Sequence, residues 1–195
     1  MIQEWNEKWL IFMNSLADTQ QLQMIFWIIA DGPIFFLPIF LVIMWVYYVI
    51  KNNNEQKKSL LLLFYSTVLA LLINIIIQNL VHFDRPESVL QGVWHLIMNH
   101  IPDASFPSDH TAVSIAFATA LFYTGYKKIA YIFFPIAILM NISRIISWVH
   151  WPLDIIVWTI VWLISGYIIC KKLYNNKYLN NLSEILIKVS KFFRL

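Results

Sequence analysis

Long apolar stretches separated by short polar breaks dominate this sequence. Most of them are near or above the roughly 20 residues that a helix needs to cross a bilayer. They predict five transmembrane helices: span A (Ile34–Ile50), span B (Leu60–Phe83), span C (His110–Tyr123), span D (Ile129–Val149) and span E (Pro152–Ile169). The pattern therefore predicts an all-α, polytopic membrane bundle, with residues 1–195 forming a single domain.

The two ends of the chain are less apolar than the five spans. Residues 1–31 mix tryptophans such as Trp5 and Trp9 with charged residues, which is typical of an amphipathic helix at a membrane surface. The apolar piece Met24–Ala30 is too short to cross alone. We interpret it as a second surface helix, with the end of a bent span beginning near Trp9 as the alternative. Residues 175–195 predict a basic amphipathic helix.

Composition supports the membrane assignment. Apolar residues make up 59% of the chain and charged residues only 13%, against roughly 25% charged residues in an average soluble domain. The formal net charge of +3 resides in short loops and the tail, so we expect no nucleic-acid partner. The single cysteine, Cys170, has no second cysteine in the chain for an intramolecular disulfide.

The lysines predict the orientation of the bundle. They group in the A–B loop, which we place at Lys51–Lys58, in the C–D loop, and after span E. Alternating spans put these three groups on one side, and the positive-inside rule makes that side cytoplasmic. The B–C connection and the D–E turn then lie on the extracytoplasmic side.

Polar residues gather in three clusters at that outer end. The clusters are Asp84–Pro86, Phe106–His110, and Ser143-Arg144 with His150 and Asp154. Ionisable residues at membrane depth are costly and usually mark a functional site. Because the clusters come from several different spans, we expect the helices to bring them together.

The side chains of these clusters suit phosphate chemistry. Arg85 and Arg144 offer planar forks of N–H donors that match phosphate oxygens. Ser108 adds a hydroxyl, and the N–H groups at the start of span C favour anions. The sequence therefore predicts a phosphate site.

Two histidines and an aspartate could carry the reaction. If the turn is helical, His150 and Asp154 share a face, so that the carboxylate holds one ring nitrogen and leaves the other as a nucleophile. His110 comes from another element and would act as the general acid. No Asp, Glu or His cluster has convincing metal-ligand spacing, so we expect no metal or cofactor. A zinc site of His95, His100 and His110 is the disfavoured alternative.

These clusters resemble the three-part signature of the type 2 phosphatidic acid phosphatase family. The matching runs are Arg85-Pro86, Pro107-Ser108-Asp109-His110, and Ser143-Arg144-x5-His150-x3-Asp154, within residues 78–154. The resemblance implies a helical bundle with its site near the outer membrane boundary. It also implies a phosphohistidine on His150, an acid at His110, and phosphate contacts from Arg85, Ser108 and Arg144.

Two positions depart from the family pattern. Gln78 replaces the usual lysine, and we interpret it as a weaker, neutral phosphate donor. Asp109 replaces the usual glycine. In this replacement and in its small size, the chain is similar to bacterial undecaprenyl-diphosphatases of the bacitracin-resistance type.

The resemblance implies that the chain hydrolyses a polyprenyl diphosphate at the outer face of a bacterial plasma membrane. Three alternatives stay open: a phosphatase of glycerophospholipids or lipid A, a lipid phosphotransferase, and a non-catalytic transporter or lipid-binding protein. The substrate partner would be a membrane lipid, and the sequence does not determine the oligomeric state.

Overall fold

The computed structural model describes residues 2–81, 83–90, 95–98 and 105–192, and within these ranges the chain is helical, with no strand. The elements are α1 (Ile2–Asn14), a 3-10 turn (Ser15–Ala17), α2 (Gln20–Ile50), α3 (Asn54–Leu80), α4 (Pro86–Val89), α5 (Asp109–Tyr123), α6 (Lys127–Ile146), α7 (Pro152–Tyr174) and α8 (Lys177–Phe192). The prediction of an all-α membrane bundle is confirmed.

Within the described ranges, four helices are long and apolar enough to cross a bilayer: α2, α3, α6 and α7. They correspond to the predicted spans A, B, D and E. The predicted span C is α5, which has only 15 residues. This helix packs against α3, α6 and α7, and ten of its residues are buried. The protein is therefore an integral membrane protein with α5 in the interior of its bundle.

The interpretation of Met24–Ala30 as a separate surface helix was wrong. These residues belong to α2, which begins at Gln20, where the Thr19 hydroxyl accepts the N–H of Leu22, and continues through Pro33 and Pro38. Proline is favoured at a helix start, but a membrane helix tolerates it in the interior because neighbouring groups satisfy the carbonyl it leaves without a partner. The bent alternative was also wrong about the start of the span, since the 3-10 turn separates α1 from α2.

The predicted polar loop Lys51–Lys58 is much shorter than expected. The Asn53 side chain accepts the N–H of Gln56 at 3.1 Å and starts α3. The polar residues that follow therefore form the first turns of the helix. Among them, Lys57 is buried, with its Nζ 5.5 Å from the centre of the Trp45 ring.

The lysine-bearing connections meet at one end of the bundle, as predicted. Residues 55–62, 123–125 and 174–180 contribute side chains to a single cavity of about 620 Å³. Helix α8 lies at the same end, where Lys58 pairs with Glu184 at 3.2 Å. All three connections thus lie on one side of the molecule.

Helix α1 packs against the end of the bundle opposite to the lysine-bearing connections. Its buried stripe consists of Asn6, Leu10 and Asn14. The Asn14 amide donates to the carbonyl of Ile146 at 2.7 Å, and the Asn6 side chain accepts the N–H of Leu153 at 3.1 Å. These two bonds tie α1 to the end of α6 and the start of α7.

Candidate active site

The three predicted clusters meet where α6 ends and α7 begins. Arg85 immediately precedes α4, and its Nη1 donates to the carbonyl of Val149 at 2.9 Å. Ser108 is the N-cap of α5, and Arg144 lies in the last turn of α6. Arg85, Ser108 and Arg144 are all buried, although their side chains are polar. The fold therefore brings the predicted phosphate-binding residues to one end of the bundle.

His150 lies in the turn between α6 and α7 and is only 2% exposed. Its Nδ1 is 2.8 Å from the carbonyl oxygen of Ser105. A carbonyl can only accept a hydrogen bond, so Nδ1 carries the hydrogen and Nε2 keeps its lone pair. Burial lowers the pKa of His150 well below its ordinary value, and the positive charges of Arg144 and Arg85 lower it further. The ring is therefore neutral, with Nε2 available as a nucleophile.

The expected direct contact between Asp154 and His150 was wrong. Asp154 Oδ2 accepts the Ser105 hydroxyl at 2.5 Å and the N–H of Trp151 at 3.1 Å. Helix α7 begins only at Pro152, so His150 precedes it and the i, i+4 spacing does not place the two side chains on one face. Ser105 instead joins the carboxylate to the ring through its hydroxyl and its carbonyl.

Sequence reasoning also missed Asp31 of α2. One of its carboxylate oxygens lies 2.7 Å from Nη1 of Arg144 and 3.0 Å from Nε2 of His110. The available signal was an acidic residue within a long apolar helix. That signal was lost because residues 1–31 were assigned to the membrane surface.

Ser108 has two functions in this arrangement. Its hydroxyl oxygen accepts the N–H of Thr111 at 3.5 Å and so caps α5. Accepting that bond does not use the hydroxyl hydrogen, which can still be donated to an anion. His110 follows in the first turn of the same helix, so the cap positions both side chains.

A sequence model of the PAP2 superfamily matches residues 59–178. This range is more than half of the chain and contains all three clusters. The chain belongs to the PAP2 superfamily. The predicted family resemblance is therefore confirmed.

Individual PAP2 relatives agree with this assignment. The chain is 33% identical over 101 residues to undecaprenyl-diphosphatase BcrC of Bacillus subtilis (strain 168), a match covering 52% of this chain and 51% of that protein. It is 28% identical over 158 residues to the bacitracin transport permease protein BcrC of Bacillus licheniformis, covering 80% and 74%. The match thus spans about half the length of the Bacillus subtilis protein.

A solved structure has a similar fold. The crystal structure of Aquifex aeolicus LpxE superposes with a TM-score of 0.65 at 27% sequence identity. The superposition covers 86% of this chain and 95% of that one. Most of the fold is therefore common to the two proteins.

The two departures from the PAP2 pattern contact each other. Nε2 of Gln78 donates to the Asp109 carboxylate at 3.0 Å and to the carbonyl of Pro107 at 2.8 Å. Asn74, one turn earlier in α3, also donates to both acceptors. Both amide hydrogens of Gln78 are therefore engaged by protein oxygens, one from the loop before α5 and one from the first residue of that helix. A phosphate-binding role for Gln78 stays a prediction, whereas its contact with this loop is observed.

Two tryptophans lie beside His150 in the sequence. Trp148 and Trp151 are both buried. Trp151 Nε1 donates to the carbonyl of Asp84 at 2.9 Å, so its polar group is satisfied inside the protein. The interface preference of tryptophan rests on its need for such a partner, which this fold supplies internally.

His95 does not join the site. His95 is an exposed loop residue whose backbone bonds to Asn14. His82 and His100 lie outside the described residues. Within the described part of the chain, no group of three or more His, Cys, Asp or Glu side chains is arranged to hold a metal ion. Cys170 is buried, with its sulfur 3.5 Å from the Ser66 hydroxyl, as expected for a packed thiol.

Proposed function

We propose that this PAP2 protein hydrolyses a polyprenyl diphosphate, such as undecaprenyl diphosphate, to the monophosphate and inorganic phosphate. The reaction would proceed through a phosphohistidine on His150. The observation that carries this proposal is the buried His150 ring, whose Nδ1 lies 2.8 Å from the carbonyl oxygen of Ser105. That arrangement leaves Nε2 as an activated nucleophile.

The first step transfers the terminal phosphoryl group to the enzyme. The lone pair on Nε2 of His150 attacks the terminal phosphorus, and the bond from phosphorus to the bridging oxygen breaks. His110 donates its Nε2 proton to that oxygen as the lipid monophosphate leaves. The step yields an N–P bond and a neutral His110.

The second step hydrolyses the intermediate. His110 now accepts a proton from water, and the water oxygen attacks the phosphorus of the phosphohistidine. The N–P bond breaks, its electron pair returns to Nε2 of His150, and inorganic phosphate forms. His110 is again protonated, so one water is consumed in each cycle.

The arginines stabilise the charge that moves during these steps. Preorganised N–H donors aimed at a phosphoryl group are often the largest contribution to catalysis. Arg85 and Arg144 are nearly buried, so their charges act in a site where water screens them little. The hydroxyl of Ser108 and the N–H groups at the start of α5 would complete the set of donors.

The choice of substrate rests on the relatives and on the membrane. The Bacillus subtilis relative is named undecaprenyl-diphosphatase. Four of the described helices are long and apolar enough to cross a bilayer. Phosphatases of glycerophospholipids or lipid A, and lipid phosphotransferases, would use the same residues. The name of the Bacillus licheniformis relative concerns transport, but binding or moving an anion needs arginines and not a neutral histidine with a held tautomer.

The test is phosphate release by the purified full-length chain from a panel of lipids. The panel contains undecaprenyl diphosphate, phosphatidate and phosphatidylglycerol phosphate, each assayed with and without EDTA, and His150→Ala is the control. We expect the diphosphate to be the preferred substrate, with activity retained in EDTA and abolished by the substitution. Preference for a phospholipid would contradict the substrate assignment, and equal release by His150→Ala would contradict the enzyme assignment.

A further inference from the structure

The Asp31 carboxylate occupies the two donors that phosphoryl transfer needs. The same oxygen accepts from Nη1 of Arg144 at 2.7 Å and lies 3.0 Å from Nε2 of His110. In the proposed mechanism, Arg144 binds a phosphate oxygen and His110 protonates the leaving oxygen. While these contacts persist, Nη1 of Arg144 and Nε2 of His110 are engaged by the carboxylate and not by a phosphate oxygen.

Carboxylate oxygens and phosphate oxygens can accept hydrogen bonds from the same donors. Both are anionic acceptors that form short, charge-assisted hydrogen bonds with arginine and with a protonated histidine. The Arg144 side chain is 1% exposed, whereas that of Asp31 is 34% exposed. The arginine is thus fixed by its surroundings, and the aspartate is the partner with room to move.

We propose that the Asp31 carboxylate competes with the phosphate group of the ligand for Arg144 and His110, so that each binding event exchanges one anion for the other. This inference rests on the proposed function, because it takes the ligand to be a phosphate. Inorganic phosphate carries less charge than a diphosphate and competes less well with the carboxylate. Asp31 therefore favours release of the product over its retention.

The test compares phosphate affinity in two variants at this position. Asp31→Asn removes the charge but keeps an oxygen acceptor for Arg144, and Asp31→Ala removes both. We expect the inhibition constants of inorganic phosphate and of vanadate to fall about tenfold in each variant. The control is Asp18→Asn, which changes the charge equally at an exposed residue before α2 and should leave both constants unchanged.

Binding is also measured without turnover, by the increase in melting temperature on adding phosphate to the detergent-solubilised protein. A ligand that binds the folded state raises its stability, and at a given ligand concentration the increase grows with the logarithm of the affinity. We expect a larger phosphate-induced increase for Asp31→Asn than for the wild type and Asp18→Asn. Melting without phosphate checks that each variant is folded.

These two measurements separate the inference from the proposed function. A larger thermal response in Asp31→Asn without any diphosphatase activity would support the competition and contradict the substrate assignment. An unchanged or higher phosphate constant, with an unchanged thermal response, would overturn the competition even if the enzyme hydrolyses diphosphates. A fall in turnover alone would assign Asp31 to positioning His110 instead.

Discussion

Nδ1 of His150 lies 2.8 Å from the carbonyl oxygen of Ser105, and the hydroxyl of the same serine lies 2.5 Å from the Asp154 carboxylate. The carboxylate therefore acts on the ring through the serine that lies between them. A backbone carbonyl, which no side-chain substitution removes, determines the tautomer of His150.

This relationship predicts coupling between Ser105 and Asp154. Ser105→Ala keeps the carbonyl but removes the hydroxyl, and we expect turnover to fall about tenfold, roughly 1.4 kcal/mol in the barrier. Asp154→Asn should cost more, because the carboxylate also holds the N–H of Trp151. The double variant should be little worse than Asp154→Asn alone, since residues in one network are not additive.

Ser190→Ala is the matched control for that cycle. Its hydroxyl bonds to the Ile187 carbonyl in α8 at the opposite end of the bundle, and turnover should not change. Additive losses in the double variant would mean that Ser105 does not connect Asp154 to His150.

A second prediction follows from the neutral state of His150. As the pH falls through the ordinary histidine pKa of about 6.5, His150 gains a proton in the unfolded chain but not in the folded protein. The unfolded state then binds more protons, so stability is lost as the pH falls. The loss is at most about 1.4 kcal/mol per pH unit for one such group.

The measurement is the melting temperature of detergent-solubilised protein between about pH 7.5 and pH 5.5, on either side of that pKa. His150→Gln should show a shallower fall with pH than the wild type. His95→Gln, at an exposed loop position, should follow the wild type. Parallel curves for all three proteins would show that His150 titrates normally.

Gln78 should matter less than the arginines. Gln78→Ala loses two bonds, to Pro107 and to Asp109 at the start of α5, but no charge, and we expect about a tenfold loss of turnover, or 1.4 kcal/mol. Arg144→Ala should lose about a thousandfold, which is typical of a lost charge-stabilising donor. Gln78→Lys should be tolerated because an ammonium can reach the same carboxylate.

The neighbouring Asn79 supplies the control for this comparison. Asn79 is exposed, and its amide donates to the Ile75 carbonyl within α3. Asn79→Ala should therefore leave turnover unchanged. If Gln78→Ala were as inactive as Arg144→Ala, the amide would be a principal phosphate ligand.

The sequence predicted the parts of the site that follow from local patterns. Arg85, Ser108 and Arg144 lie at helix ends, and helix ends are marked by changes from polar to apolar residues. Asp31 and Ser105 were missed because their importance arises from tertiary contacts with residues far along the chain. The prediction of a direct bond between His150 and Asp154 was wrong for a related reason. It applied a helical spacing rule across the start of α7, whose position depends on Pro152.

Pro33 shows the same limit in the fold. Span A was predicted to begin at Ile34, directly after this proline, which separated Asp31 from the span. The membrane environment and packing against α6 allow α2 to continue. Span C was predicted closely because Ser108, which caps α5, leaves a clear local signal.

The predicted extracytoplasmic position of the site is tested by cysteine labelling in intact cells, in a Cys170→Ser background. Ser88→Cys lies beside Arg85 and should react with a membrane-impermeant thiol reagent. Asn53→Cys, at the turn between α2 and α3, should react only after permeabilisation. Both positions are exposed, so the reverse result would place the site in the cytoplasm and contradict the argument from the lysines.

The most direct test of the proposed mechanism is the location of the trapped phosphoryl group. Protein is mixed with substrate labelled with ³²P in its terminal phosphate, quenched in alkali to preserve phosphohistidine, digested and mapped. We predict label on the peptide containing His150, no label in His150→Ala, and retained label in His110→Ala when the leaving group needs no proton. Label on His110, or in His150→Ala, would contradict the assignment of His150 as the nucleophile.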